Sequence, residues 1–141
     1  MHWLVNLEPL RRGEDAALLL LRAVVGAFLI YGVWDNIISS ERMAEFAEFL
    51  RKFRFPAPEL MAPLSVWAQF ACGLSFLTGL LTRWAGLICA FNFVIAILMV
   101  DHHQGVRASF PSACLVAIGL YLATRGPGGL SLDAHLTRGA R

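Results

Sequence analysis

The chain has 141 residues, 57% of them hydrophobic and 16% charged, with a mean hydropathy of +0.61. A water-soluble domain of this length has too small a core to hide so much apolar surface, so the composition argues for an integral membrane protein. The net charge of +2 is spread along the chain with no basic block to follow a phosphate backbone, which argues against nucleic acid and leaves the lipid bilayer as the first partner.

The first apolar stretch, Ala16 to Ile38, has the roughly 17 to 25 residues that a spanning helix needs. It follows Glu8, Arg11, Arg12, Glu14 and Asp15 and shows no small-x-small cleavage pattern, so a retained helix is expected rather than a cleaved leader. Ser40 to Arg54 then sets Met43, Phe46, Ala47, Leu50 and Phe53 at three- and four-residue steps. Glu41 and Glu45 come early and Arg51, Lys52 and Arg54 late, opposing the helix dipole, so an amphipathic helix in the membrane interface is expected, ended by Pro56 and Pro58. Ala62 to Leu81 and Trp84 to Val100 are the second and third expected spans, joined in a tight hairpin by Thr82 and Arg83 alone. Asp101 to Arg107 leads to a fourth span, Ala108 to Thr124. The run Arg125-Gly126-Pro127-Gly128-Gly129 breaks that helix, and Ser131 caps a short surface turn through Asp133 and His135.

The expected fold is therefore all-α. One domain over residues 1–141 forms an antiparallel bundle of four transmembrane helices (about 16–38, 62–81, 84–100 and 108–124), with an interfacial amphipathic helix between spans one and two. Orientation is weakly encoded, because Arg11, Arg12, Arg83, Arg125, Arg138 and Arg141 on one side nearly balance Arg42, Arg51, Lys52, Arg54 and Arg107 on the other. Arg83, held in a minimal loop, tips the expectation toward both termini in the cytoplasm of a bacterial-type inner membrane.

Polar side chains inside a span are costly unless paired, so Arg22, Asp35, Asn36, Gln69 and Asn92 are the candidates for chemistry. Alternating helix directions bring Asp35, Asn36, Gln69, Asp101, His102 and His103 toward one membrane face, and Trp34 and Trp67 belong to the same end. A polar, Trp-walled ligand site built from Trp34, Asp35, Asn36, Trp67, Gln69, Asn92 and His102 is the expectation. The structural alternative is that Gln69 and Asn92 only join helices and the tryptophans only mark the interface. Arg22, some six residues into its span, reads as snorkelling toward the near headgroups, with a buried anion-binding role as the alternative. His102 and His103 are adjacent and point apart, with no Cys or carboxylate spacing to complete a set, so no metal site is expected. Cys72, Cys89 and Cys114 fall in separate spans without a CxxC and read as small apolar residues.

The ordered patterns resemble the DoxX family of small four-span membrane proteins. They are Arg22, Gly26, Phe28, Leu29 and Gly32 in the first span; Phe55-Pro56-Ala57-Pro58 before the second; Gly79-Leu80-Leu81-Thr82-Arg83; and Gly126-Pro127-Gly128-Gly129-Leu130-Ser131-Leu132-Asp133. The chain departs from the family pattern at Asp35, where members commonly carry Lys, and at Gln69, where they carry Glu, so a proton relay through such an ion pair is not expected here. The resemblance implies a membrane component of redox systems tied to sulfur-compound or thiol oxidation and to quinone-linked partners.

The leading expectation is thus the membrane subunit or anchor of a redox assembly, with a quinone as the candidate cofactor and a redox protein as the candidate partner. Self-association into a homo-oligomer stays open, and catalysis by this chain alone is not expected. Two other readings stand beside it: a small transporter or channel for a weak acid or a metal, built on Asp35, Gln69 and Asn92, and a purely structural bundle.

Overall fold

The computed structural model describes residues 7–139. A 3-10 turn over Glu8–Gly13 leads into α1 (Glu14–Ile38), which is followed by α2 (Ser40–Lys52), α3 (Pro58–Thr78) and α4 (Thr82–Met99). A second 3-10 turn, Asp101–Gln104, precedes α5 (Val106–Arg125), and α6 (Leu132–Gly139) closes the described chain. There is no strand among the described residues. Pro9–Ile38, Pro58–Thr78, Thr82–Met99 and Val106–Arg125 are each long and apolar enough to cross a membrane, so the fold is the expected four-span bundle with α2 between the first two spans.

Local chemistry sets the boundaries. Ser39 is extended (φ −128°, ψ 116°) and its Oγ accepts the Arg42 N–H at 3.3 Å, so α2 starts there as a separate helix and does not prolong α1. Pro58 occupies the first turn of α3, where a missing N–H costs nothing. Gly79 ends α3 in the left-handed region (φ 72°) and donates its N–H to Ser75 O at 2.8 Å. The connection between the second and third spans is therefore Gly79 to Leu81, and Thr82 and Arg83, expected as the loop, form the first turn of α4. The αL glycine stops the helix three residues before the apolar run ends.

Two caps reach across the bundle. The Asp133 carboxylate accepts the N–H groups of Leu81 (3.0 Å) and Thr82 (3.3 Å), capping α4 from the far end of the sequence. Arg83 in turn donates to the carbonyls of Ala123 (2.8 Å) and Thr124 (2.6 Å), the unpaired acceptors at the end of α5. Glu14 pairs with Arg125 at 2.5 Å, and Asp15 accepts the Gly129 N–H at 2.9 Å, tying the start of α1 to the residues after α5. Ser131 Oγ accepts the Ala134 N–H at 3.2 Å, the cap expected for the turn that follows.

The membrane-embedded packing is built on two glycine pairs. On α1, residues Leu18, Arg22, Val25, Gly26, Leu29 and Val33 share the buried face at three- and four-residue steps. Gly26 meets Gly73 of α3 so closely that a Cβ on it would stand 2.8 Å from the Gly73 carbonyl oxygen. Gly86 of α4 and Gly119 of α5 meet in the same way, at 2.4 Å from a Gly86 Cβ to the Gly119 oxygen. Accordingly α1 packs chiefly on α3 and α4 chiefly on α5, while the α3–α4 contact is thinner. Leu29, Phe76, Cys89, Leu115 and Leu122 close the common core, and the three cysteines are free thiols.

Arg22 departs from expectation. It is 1% exposed and does not snorkel: Nη2 donates to Leu130 O at 2.6 Å, so the guanidinium is turned inward under the segment that follows α5. Sequence position placed it near the interface, but the chain folded back over that end takes the place of headgroups. Arg141, counted with the termini above, lies outside the described residues.

Candidate functional site

The end of the bundle opposite Arg22 and Arg83 holds α2 and the Asp101–Gln104 turn, which meet where the Phe53 and His103 rings stand 6.3 Å apart. Helix α2 lays Ala47 and Leu50, buried, and Met43 and Phe46, partly buried, against Ala62, Met61 and Phe55. Its charged residues face outward, where Arg42 pairs with Glu45 and Arg51 with Glu48 and Glu59. The expectation of an amphipathic helix capping the bundle thus has a specific seat, on the first turns of α3.

Beneath it lies a cavity of about 550 Å³. Phe46, Phe49 and Phe55 roof it, Leu64, Ala68 and Gln69 of α3 and Ile88, Phe91 and Asn92 of α4 wall it, and Asp101, Gln104 and Ser112 line its other end. Leu64, Ile88 and Phe91 are also exposed on the surface of spanning helices, so the cavity's rim faces the hydrocarbon between α3 and α4. A volume of this size, with mostly apolar walls and a few convergent polar groups, fits a small organic ligand.

Two hydrogen-bonded sets supply that polarity. Gln69 Nε2 donates to Ser65 Oγ at 3.2 Å, and Ser65 Oγ donates to Asn92 Oδ1 at 2.9 Å, so one chain of bonds links α3 to α4 inside the span. The interhelical one, Ser65 to Asn92, is of a kind worth about 0.6 kcal/mol. At the membrane face, Ser112 Oγ donates to Asp101 Oδ2 at 2.5 Å, joining the turn to α5.

Of the residues expected to build a site, Gln69 and Asn92 line this cavity together. The others are placed elsewhere. Trp34 and Trp67 are about half exposed and stand outward, the position of interfacial aromatics. Asp35 is exposed and accepts the Asn36 N–H at 3.0 Å, while Asn36 Nδ2 donates to Arg42 O at 3.1 Å and so holds the α1–α2 corner. His102 is exposed, with Nδ1 bonded to Ile97 O at 3.1 Å, because α4 ends at Met99 and the 3-10 turn takes both histidines off the face that carries Asn92. No group of three or more metal-ligating side chains forms among the described residues.

Ser65, Asp101, Ser112 and the phenylalanines of α2 and its following turn are the lining residues that the sequence did not single out as a site. The signal for Ser65 was present, four residues before Gln69 on one helical face. Ser112 is brought to Asp101 by a glycine turn at Gly105 (φ 95°), which no side-chain periodicity encodes.

Comparison with known proteins agrees with this architecture. The chain is 29% identical over 133 residues to the inner membrane protein YqjF of Escherichia coli strain K12, an alignment that covers 92% of this chain and 98% of that protein. No solved structure matches it significantly. The DoxX family matches residues 17–102, more than half of the chain, taking in α1 to α4 and with them both amides of the cavity. With four candidate spans in the expected order and the family match across the first three, the chain is an integral membrane protein that belongs to the DoxX family.

Proposed function

We propose that this chain is the membrane component of a redox assembly and that it holds a lipophilic, quinone-like ring in the cavity between α2, α3 and α4. The observation that carries the reading is the cavity itself: about 550 Å³, walled by phenylalanines, with the Gln69–Ser65–Asn92 chain set into it and a rim that meets lipid. A ring with an isoprenoid-type tail partitions into the bilayer and enters between α3 and α4 without crossing water. Inside, with no partner of their own among the described residues, Asn92 Nδ2 can donate to a ring carbonyl oxygen and Gln69 Oε1 can accept from a ring hydroxyl. The electrons are assigned to a partner protein at the membrane face. By its likeness to an inner membrane protein we assign the chain to a bacterial-type inner membrane, and Arg83 at the short connection between the second and third spans supports placing both termini in the cytoplasm.

The test is the ligand content of the protein purified in mild detergent, measured by extraction and mass spectrometry. Quinone is expected in the wild type and up to about tenfold less in Gln69→Leu and Asn92→Leu, each of which removes a hydrogen-bonding group of similar bulk. His102→Phe, outside the cavity, leaves the content unchanged. Absence of quinone from the wild type, or equal amounts in all four proteins, refutes the reading.

A further inference from the structure

We infer that the bundle holds a small monovalent anion, of halide size, at the end opposite the cavity, between the Arg22 guanidinium and the Thr82 hydroxyl at the start of α4.

Arg22 and Thr82 are 1% and 0% exposed. Between them they bury three polar atoms that have no hydrogen-bond partner among the described residues: Arg22 Nε, Arg22 Nη1 and Thr82 Oγ1. Both side chains border one corner. Nη1 lies against Gly79, where a Cβ would stand 2.2 Å from it, and Ser131 closes on the same glycine, with its Cβ 2.5 Å from that position. Thr82 opens α4 three residues after Gly79, so the positive end of an 18-residue helix faces this corner as well.

Guanidinium N–H groups only donate and a threonine hydroxyl can do so, so the stranded atoms call for an acceptor. Charge then separates an anion from a water molecule. Leu130 O, which takes Nη2, is neutral, and Arg22 forms no ion pair among the described residues. Asp133 is the carboxylate near enough to act on the Arg22 charge, but it is turned to the N–H groups of Leu81 and Thr82. Asp15 accepts from Gly129, and Glu14 is paired with Arg125. A cation buried in a span without a counter-charge is costly, and a water molecule satisfies its hydrogen bonds without supplying that charge. The corner is closed to solvent and lipid, which excludes phosphate headgroups and leaves an ion of a single atom.

The test is thermal unfolding of the full chain in mild detergent, in sodium chloride and in sodium gluconate at equal ionic strength, gluconate being too large for the corner. Chloride is expected to raise the wild-type midpoint by about 4 °C over gluconate. Thr82→Val keeps the shape, removes the hydroxyl and is expected to lose most of that difference. An empty corner predicts otherwise, because Thr82→Val then removes a stranded hydroxyl and raises the midpoint alike in both salts. Gly32→Ala, with nothing within 4 Å of its added Cβ, keeps the full chloride effect and reports the general action of the salt. In bromide-soaked crystals of the wild type, an anomalous peak is expected beside Nη1 and Thr82 Oγ1. A wild type indifferent to the salt, a chloride effect equal in Thr82→Val and Gly32→Ala, or a water molecule alone at the corner overturns the inference. If Thr82→Val does not fold, the wild-type comparison and the bromide peak still decide. None of these outcomes bears on quinone content, so failure here leaves the reading of the cavity standing.

Discussion

Alanine at Gly86 tests the packing on which the bundle depends. A Cβ there would stand 2.4 Å from the Gly119 carbonyl oxygen and 2.8 Å from the Ala123 nitrogen, whereas ordinary contact begins at 3.4 Å. The shortfall is about 1.0 Å, and both obstructing atoms are backbone, so neither can rotate away and α4 must part from α5. The cost therefore belongs near the upper end of overpacking, about 3 kcal/mol. Helix propensity returns about 1 kcal/mol on replacing glycine by alanine. The net loss is about 2 kcal/mol, roughly a thirtyfold shift in the unfolding equilibrium. Gly32→Ala is the internal control, since nothing lies within 4 Å of a Cβ at that position and only the propensity gain applies. Reversible unfolding in mixed micelles, followed by circular dichroism, measures both variants. If Gly86→Ala is as stable as Gly32→Ala to within about 0.5 kcal/mol, the glycine contact does not set the helix spacing and the reasoning fails.

Arg22→Gln shortens the donor that reaches Leu130 O, and it should cost about 2 kcal/mol and speed amide exchange across residues 126–139 relative to α5; exchange that does not change there would mean the segment is held by other contacts. Asp133→Ala removes the acceptors from two N–H groups at the start of α4 and should lower stability by about 1 kcal/mol in the same unfolding assay, with Asp133→Asn, which keeps one acceptor oxygen, recovering no more than half of it. In a background with Cys72, Cys89 and Cys114 replaced, cysteines at Ser40 and Arg83 should react with an impermeant thiol reagent from opposite faces of the membrane. Labelling from one face contradicts the four-span parity.

Hydropathy carried most of the fold, because a bilayer imposes length and apolarity on each span independently of tertiary detail. Thus the spans and the amphipathic α2 were legible to within a few residues. What the hydropathy pattern missed was set by backbone geometry and long-range contact. The left-handed Gly79 moved the hairpin three residues earlier, and Asp133, some fifty residues on in sequence, supplied the cap that α4 lacks locally. The site was legible only in part. Gln69 and Asn92 stand out as amides within apolar runs, and both line the cavity. Asp35 and His102 stand out equally in the sequence yet lie at helix ends, where a residue's depth is clear but the direction of its side chain depends on how the helix terminates.

The glycine contacts also govern mechanics. With α1 fastened to α3 at Gly26 and Gly73, and α4 to α5 at Gly86 and Gly119, the spans pair into two close-packed plates that meet through the thinner α3–α4 contact. The α3–α4 joint, where the cavity's lipid-facing rim lies, carries two light stitches, Ser65 Oγ to Asn92 Oδ1 and Cys72 Sγ to Ala85 O, so it is the easiest place for the bundle to yield. Parting the plates there would give the ligand proposed above a sideways path while both close-packed pairs stay intact, so its entry need not compete with the stability of the bundle.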